Sequence, residues 1–227
     1  ALVGTNIRKN TISSIRATTN GGLSVPGVYA LSNSKNALNA PSESYSQSEV
    51  DGVFGKVGLV YDNWIILDGT ARRDVFSTLP KANNAYYYPA ASLGLIFTEK
   101  LAKSDLVTFG KLRFNYAEVG NGAPVLSLYD TYTLQPAFNG QTVASNSTNK
   151  NNPDLKPERT KSLEAGLEMR FLKNRLGFDV TVYKMNTVDQ ILLASVSRAT
   201  GFNNKYINAG DVENKGVEVS MFIRPIH

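Results

Sequence analysis

The chain has 227 residues, with 24 Lys and Arg against 19 Asp and Glu, no cysteine and a single histidine, His227. This length allows one large domain or two small ones, and the composition excludes a disulfide framework, a thiolate nucleophile, a cysteine-held metal, and any triad or zinc site built on histidines. The net charge of +5 does not by itself imply nucleic acid, which calls for a clustered basic patch; here the charges are scattered among apolar residues.

No run of ~18 apolar residues occurs, so no transmembrane helix is expected, but barrel strands need only ~10 alternating residues each and escape that test. Ala1-Leu2-Val3-Gly4 lacks the basic start and apolar stretch of a signal peptide. The chain is therefore expected to be either processed or an internal fragment.

Period-2 alternation recurs along the chain, and no helical period competes with it. A first strand is expected near Val3–Ile7, followed by a long connection over 9–46. Gly52–Tyr61 and Trp64–Arg73 form a hairpin closed by Asp62-Asn63, a tight-turn signal. After a long connection over 74–86 comes a strand leading to the moderate connection Thr98–Asp105. In the next strand, around Phe109–Tyr116, Lys111, Arg113 and Asn115 oppose Leu112, Phe114 and Tyr116. A third long connection, 118–158, precedes the hairpin of Ser162–Leu172 and Arg175–Tyr183, closed by Lys173-Asn174. A fourth, 186–210, leads to Val212–Ile223.

Alternate side chains of a strand point to opposite faces. Leu163, Leu167 and Met169 thus share a face opposite Glu164, Glu168 and Arg170, and Phe178, Val180 and Val182 oppose Asp179 and Thr181. A soluble sandwich turns its apolar side inward, whereas a membrane barrel turns it to lipid. Alternation alone does not choose between them. The connections do help, because long and short ones strictly alternate, as at the two rims of an outer-membrane barrel. Tyr61, Trp64, Tyr86, Tyr87, Tyr88 and Tyr116, near strand ends, suit interfacial girdles.

Motifs for other chemistry are incomplete. Gly55-Lys56 lacks the earlier glycine and following Ser or Thr of a phosphate loop, since Val50 and Val57 stand there. Asn146-Ser147-Thr148 fits a glycosylation sequon and marks only an exposed loop. Asp68, Glu164, Glu168, Asp179, Glu213 and Glu218 could be paired for glycoside hydrolysis, but cross-strand charge pairs with Arg72, Arg113 and Arg170 explain them more simply. No catalytic, cofactor or metal residue is assigned, and the chain is not expected to be an enzyme. Tyr129, Tyr132 and Phe138, in the 118–158 connection, are candidates for ligand contact, with loop packing or a girdle as the plainer reading. Pro153 and Pro157 are expected to hold that loop extended before its strand.

Asn152-Pro153-Asp154-Leu155-Lys156-Pro157-Glu158-Arg159-Thr160 resembles the NPxLxxExT segment of SusC/RagA-type TonB-dependent transporters. Val182-Tyr183-Lys184 with Leu192, and Asn208-Ala209-Gly210 followed by Asn214-Lys215-Gly216-Val217-Glu218, are similar to later segments of the same family. So are Tyr88-Pro89-Ala90-Ala91-Ser92-Leu93-Gly94, Lys111-Leu112-Arg113 and, with a changed continuation, Arg72-Arg73-Asp74. The order and spacing of these matches run across residues 50–220. Siderophore receptors share some of them.

The resemblance implies an all-β fold: an antiparallel up-and-down transmembrane segment of about eight strands within a barrel of about twenty-two. Residues 1–227 would be a partial barrel domain without its plug, in the bacterial outer membrane. The function implied is TonB-dependent import of glycans or peptides, with no cofactor. The partners implied are the rest of the barrel and its plug, TonB acting through the plug, a SusD-like lipoprotein and lipid, but no nucleic acid. Arg113, Glu164, Glu168, Arg170 and Asp179 would face the lumen. The alternatives are a small complete barrel with an adhesive or structural role, and a soluble β-sandwich carbohydrate-binding module.

Overall fold

The computed structural model describes residues 1–101 and 104–225. The strands are β1 (Leu2–Arg16), β2 (Asn20–Leu23), β3 (Ser34–Asn36), β4 (Ser42–Tyr61), β5 (Ile65–Phe76), β6 (Ala85–Leu95), β7 (Val107–Asn121), β8 (Tyr132–Phe138), β9 (Gln141–Asn146), β10 (Asn149–Lys150), β11 (Glu158–Phe171), β12 (Leu176–Val188), β13 (Ile191–Ser195), β14 (Asn204–Asn208) and β15 (Asp211–Ile223). Three short 3-10 turns complete the regular structure. Two compact units divide the chain: residues 8–49, and residues 1–7 with those from 50 onward.

The main sheet has eight strands in the order β1-β4-β5-β6-β7-β11-β12-β15, the up-and-down meander expected from alternation and hairpin turns. Strands β5, β6, β7, β11, β12 and β15 pair antiparallel with unbroken register over most of their length. The expected hairpin at Asp62-Asn63 is present. Both residues have positive φ, 46° and 56°, and the Trp64 amide donates to the Tyr61 carbonyl at 3.1 Å; Trp64, expected to open the next strand, also belongs to the turn, since Tyr61 pairs with Ile65. The second hairpin is wider than the sequence suggests. Leu172, expected to end a strand, joins Lys173 and Asn174 in the left-handed region, and the Arg175 amide donates to both Phe171 and Leu172 carbonyls.

Long and short connections alternate as expected, but the strands reach further into the long ones. β4 has 20 residues and β1 has 15, because their outer parts are Ser-, Thr- and Asn-rich and carry no apolar period to read. The long connections also hold structure of their own: the pairs β2–β3 and β8–β9, and a small sheet in which β10 lies parallel to β14. In the unit of residues 8–49, the Asn33 side chain bonds Val25 and Val28 and so closes the loop beyond β2.

The apolar face of the main sheet is bare. Leu163, Val217, Val219 and Met221 are 60–67% exposed, and register places Val180 between Leu167 and Val219 on this same face. A sandwich requires such a face to be the core. A closed eight-stranded barrel requires β1 to pair with β15, yet these are the two edges of the sheet order.

The buried core lies instead among the long connections. Phe76, Leu79, Tyr88, Ala123 and Leu155 form it, with Val50, Tyr86, Leu128, Ile191 and Tyr206 packed around them. Tyr88 is therefore a core residue, with the Tyr86 ring tilted against it at 5.1 Å, and neither belongs to an interfacial girdle. Tyr61 and Tyr87 remain exposed, as a girdle requires. Leu155 is fully buried, and hiding a leucine of this kind stabilises by about 1.5–3 kcal/mol. Leu155→Ala should loosen this rim by about 2–5 kcal/mol. The check is amide exchange, which should quicken at Asn152 and Ile191 while the middle of β12 keeps its protection.

Candidate functional site

Strands β7, β11 and β12 carry, on the face opposite the bare apolar one, the residues expected to line a lumen. Register sets Arg113 beside Gly166, and Gly166 beside Thr181. The Arg113 guanidinium crosses over Gly166 and donates two hydrogen bonds, at 2.6 and 2.8 Å, to the Asp179 carboxylate. It also donates to the Thr181 hydroxyl at 3.2 Å and lies 3.8 Å from Glu168. A Cβ at position 166 would stand 2.8 Å from Arg113 Nη2, so any larger residue there would push the guanidinium off this path. Glu168 sits directly opposite Asp179, an unfavourable pairing of like charges that Arg113 and Arg170 relieve. Arg170 donates to Glu168 at 2.8 and 3.0 Å. Arg113, Glu168, Arg170 and Asp179 are thus one connected ladder. Glu164 stands apart and accepts from the Ser162 hydroxyl at 3.2 Å.

The same face continues on β4 and β5 with the ion pairs Lys56–Asp68, at 3.2 Å, and Arg72–Asp74, at 2.6 Å. Glu168 and Asp179 are each taken up by a guanidinium, which leaves neither as a free acid or base. Among the described residues no group of three or more His, Cys, Asp or Glu side chains is placed to hold a metal ion.

At the long-connection rim the sequence motif residues serve as clamps. The Asn152 side chain donates to the Tyr206 carbonyl and accepts from the Asp154 amide. The Asn208 side chain accepts from the Lys156 amide and donates to the carbonyls of Lys156 and Asp189. Pro153 begins a turn rather than an extended run, whereas Pro157 does lead straight into β11. Sequence reasoning missed Asn151 and Glu118 here, and it gave the motif residue Glu158 no partner. Asn151 holds the Leu126 and Tyr129 carbonyls, Glu158 accepts from the Ile191 amide, and Glu118 pairs with Arg159 at 2.6 Å. Nothing in a single strand's alternation marks such loop partners. Asp130, in the same rim, is held below the usual carboxylate range by the Lys150 ammonium and the Asn151 amide.

Tyr129, Tyr132 and Phe138 are 69–74% exposed, so they are not packed into the loop. Two of them stand apart. Tyr132 and Phe138 lie at opposite ends of β8, about 20 Å apart at the rise of an extended strand.

The description "TonB dependent receptor-like, beta-barrel" matches residues 3–223. The chain belongs to this family. It is 30% identical over 202 residues to TonB-dependent receptor P26 of Formosa agariphila, covering 86% of this chain and 20% of that protein. It is 29% identical to TonB-dependent receptor SusC of Bacteroides thetaiotaomicron, over 76% of this chain and 18% of SusC. The chain thus spans about a fifth of the length of these relatives. Its fold matches a chain of the RagAB peptide transporter with a TM-score of 0.83 at 22% identity, covering 96% of this chain and 25% of that one. The siderophore receptor PirA of Acinetobacter baumannii matches less well, with a TM-score of 0.59 at 19% identity over 96% of this chain and 31% of that one. The fold of this barrel segment is thus more like that of the RagAB chain than that of PirA.

The glycine under Arg113 gives a direct test. Gly166→Val should cost about 1–3 kcal/mol through overpacking, and less when Arg113→Met has already removed the crossing side chain. A double-mutant cycle on unfolding measures the difference.

Proposed function

We propose that this chain is a stretch of barrel wall in a TonB-dependent importer of the bacterial outer membrane, with glycans or peptides as cargo. The observation that carries the reading is the two-faced sheet. Its apolar face is bare, and its opposite face holds a connected ladder of charges. In a bilayer the bare face meets hydrocarbon and the ladder lines a hydrated passage. The two edges, β1 and β15, cannot stay unpaired in hydrocarbon, where each unsatisfied backbone group costs several kcal/mol. Further strands must therefore continue the sheet on both sides.

Residues 1–227 then act as part of a barrel domain, with a plug supplied by other residues and pulled by TonB. A SusD-like lipoprotein would cover the long-connection rim. Arg113, Glu164, Glu168, Arg170 and Asp179 maintain a polar wall and need no cofactor. Tyr129, Tyr132 and Phe138 present separate aromatic surfaces at the mouth, suited to transient contact with cargo rather than to one enclosing pocket.

Two measurements test this reading. Val180→Lys should cost ~2–4 kcal/mol for a midplane, lipid-facing position, whereas Ser220→Lys, beside Asp179 on the polar face, should cost little. Equal costs on refolding into bilayers would overturn the assignment of faces. Liposomes carrying residues 1–227 alone should show no saturable entry of oligosaccharide or peptide. Specific uptake without added components would refute the role as one section of a larger wall.

A further inference from the structure

On three neighbouring strands the bare apolar face ends in the same way. Toward the long-connection rim, Leu163 of β11, Val182 of β12 and Val217 of β15 end the continuous apolar run, and on β12 Val188 follows only after Lys184 and Asn186. Two positions further along each strand, on the same face, stands a lysine: Lys161, Lys184 and Lys215. Register brings the three together. Lys184 lies directly opposite Lys215 on one side and Leu163 on the other, and Lys161 is opposite Asn186, two residues beyond Lys184.

Two like charges placed directly across a strand pair repel each other. One carboxylate serves both, since Glu213 contacts Lys184 at 2.7 Å and Lys215 at 3.2 Å. Glu118, opposite Lys161, is itself paired with Arg159 at 2.6 Å. The cluster therefore holds four cations, Arg159 and the three lysines, against three carboxylates, Glu118, Glu213 and Asp211, the last in the row of Arg159 and Val188. The Lys184 and Lys215 side chains are 56% and 75% exposed.

We infer that Lys161, Lys184 and Lys215 form a docking site for the phosphate group of a membrane lipid whose acyl chains lie along the apolar face below. This rests on the barrel-wall reading. Charge complementarity selects an anion, and position selects a lipid over a free ion. The three ammonium groups stand at the border of the apolar face, on flexible stems that reach from it to the headgroup level. A dissolved anion gains from the charges alone, whereas a lipid gains from the charges and the apolar face together.

The test uses the barrel that carries these strands, placed in zwitterionic nanodiscs doped either with phosphatidic acid or with diacylglycerol, which lacks the phosphate. Native mass spectrometry counts the retained lipid, and protease protection reports insertion. Inserted barrel should retain phosphatidic acid and not diacylglycerol. The combined Lys161→Gln, Lys184→Gln and Lys215→Gln variant should lower that retention at least tenfold, while Lys173→Gln, at the opposite rim, leaves it unchanged. Equal retention by the triple variant would overturn the site, as would displacement by inorganic phosphate at equal concentration. Inserted barrel with no preference for phosphatidic acid would overturn the lipid site alone; failure to insert would overturn the wall reading with it.

Discussion

Each strand of the main sheet is held to its neighbours by backbone hydrogen bonds in fixed antiparallel register, and that ladder decides which side chains share a face. Register places Val180 between Leu167 and Val219, and it sets Arg113, Gly166 and Thr181 in one row on the other side. The bare apolar face and the charged face are two consequences of the same pairing. A sheet that pairs so completely inside, yet leaves β1 and β15 as edges, is stable in hydrocarbon only as part of a larger ring of strands.

Away from the strands the physical problem changes. The long connections cannot rely on a ladder, so they are ordered by a small core and by asparagine side chains. Leu155 fills the centre, and Asn151, Asn152 and Asn208 satisfy carbonyls and amides of chain segments more than 20 residues distant in several cases. The NPxL segment therefore does structural work at the rim. It joins the entry to β11 with the entry to β15, and Glu158 and Arg159 extend the join to the loop after β12 and to the end of β7.

This contrast explains what was legible in the sequence. Alternation over Phe109–Tyr116, Leu163–Phe171 and Leu176–Val182 marked strands and faces and put Arg113, Glu164, Glu168, Arg170 and Asp179 on one polar face, because a period of two leaves little freedom; that four of them connect into a ladder depends on register and was not legible. Asp62-Asn63 was legible because few residues accept two successive left-handed positions. The outer lengths of β1 and β4 were not, since polar residues on both faces leave no contrast. Tyr88 was misread as interfacial because its burial depends on Phe76, Leu79 and Leu155, which are distant in sequence. Tyr132 and Phe138 were placed in one loop by the sequence, which does not show β8; the strand sets them at its two ends.

Arg113 has a further consequence for assembly. Its guanidinium, rooted in β7, spans β11 at its single open position and closes on β12. Slipping β11 by one residue would turn Ala165 or Leu167 toward the charged face and block that path, so the bidentate contact with Asp179 would be lost. A two-residue slip would preserve the faces but set Glu164 or Glu168 where glycine is needed. Three strands are thus checked against one another by one side chain, and a mispaired intermediate forfeits the contact that would otherwise lock it in place.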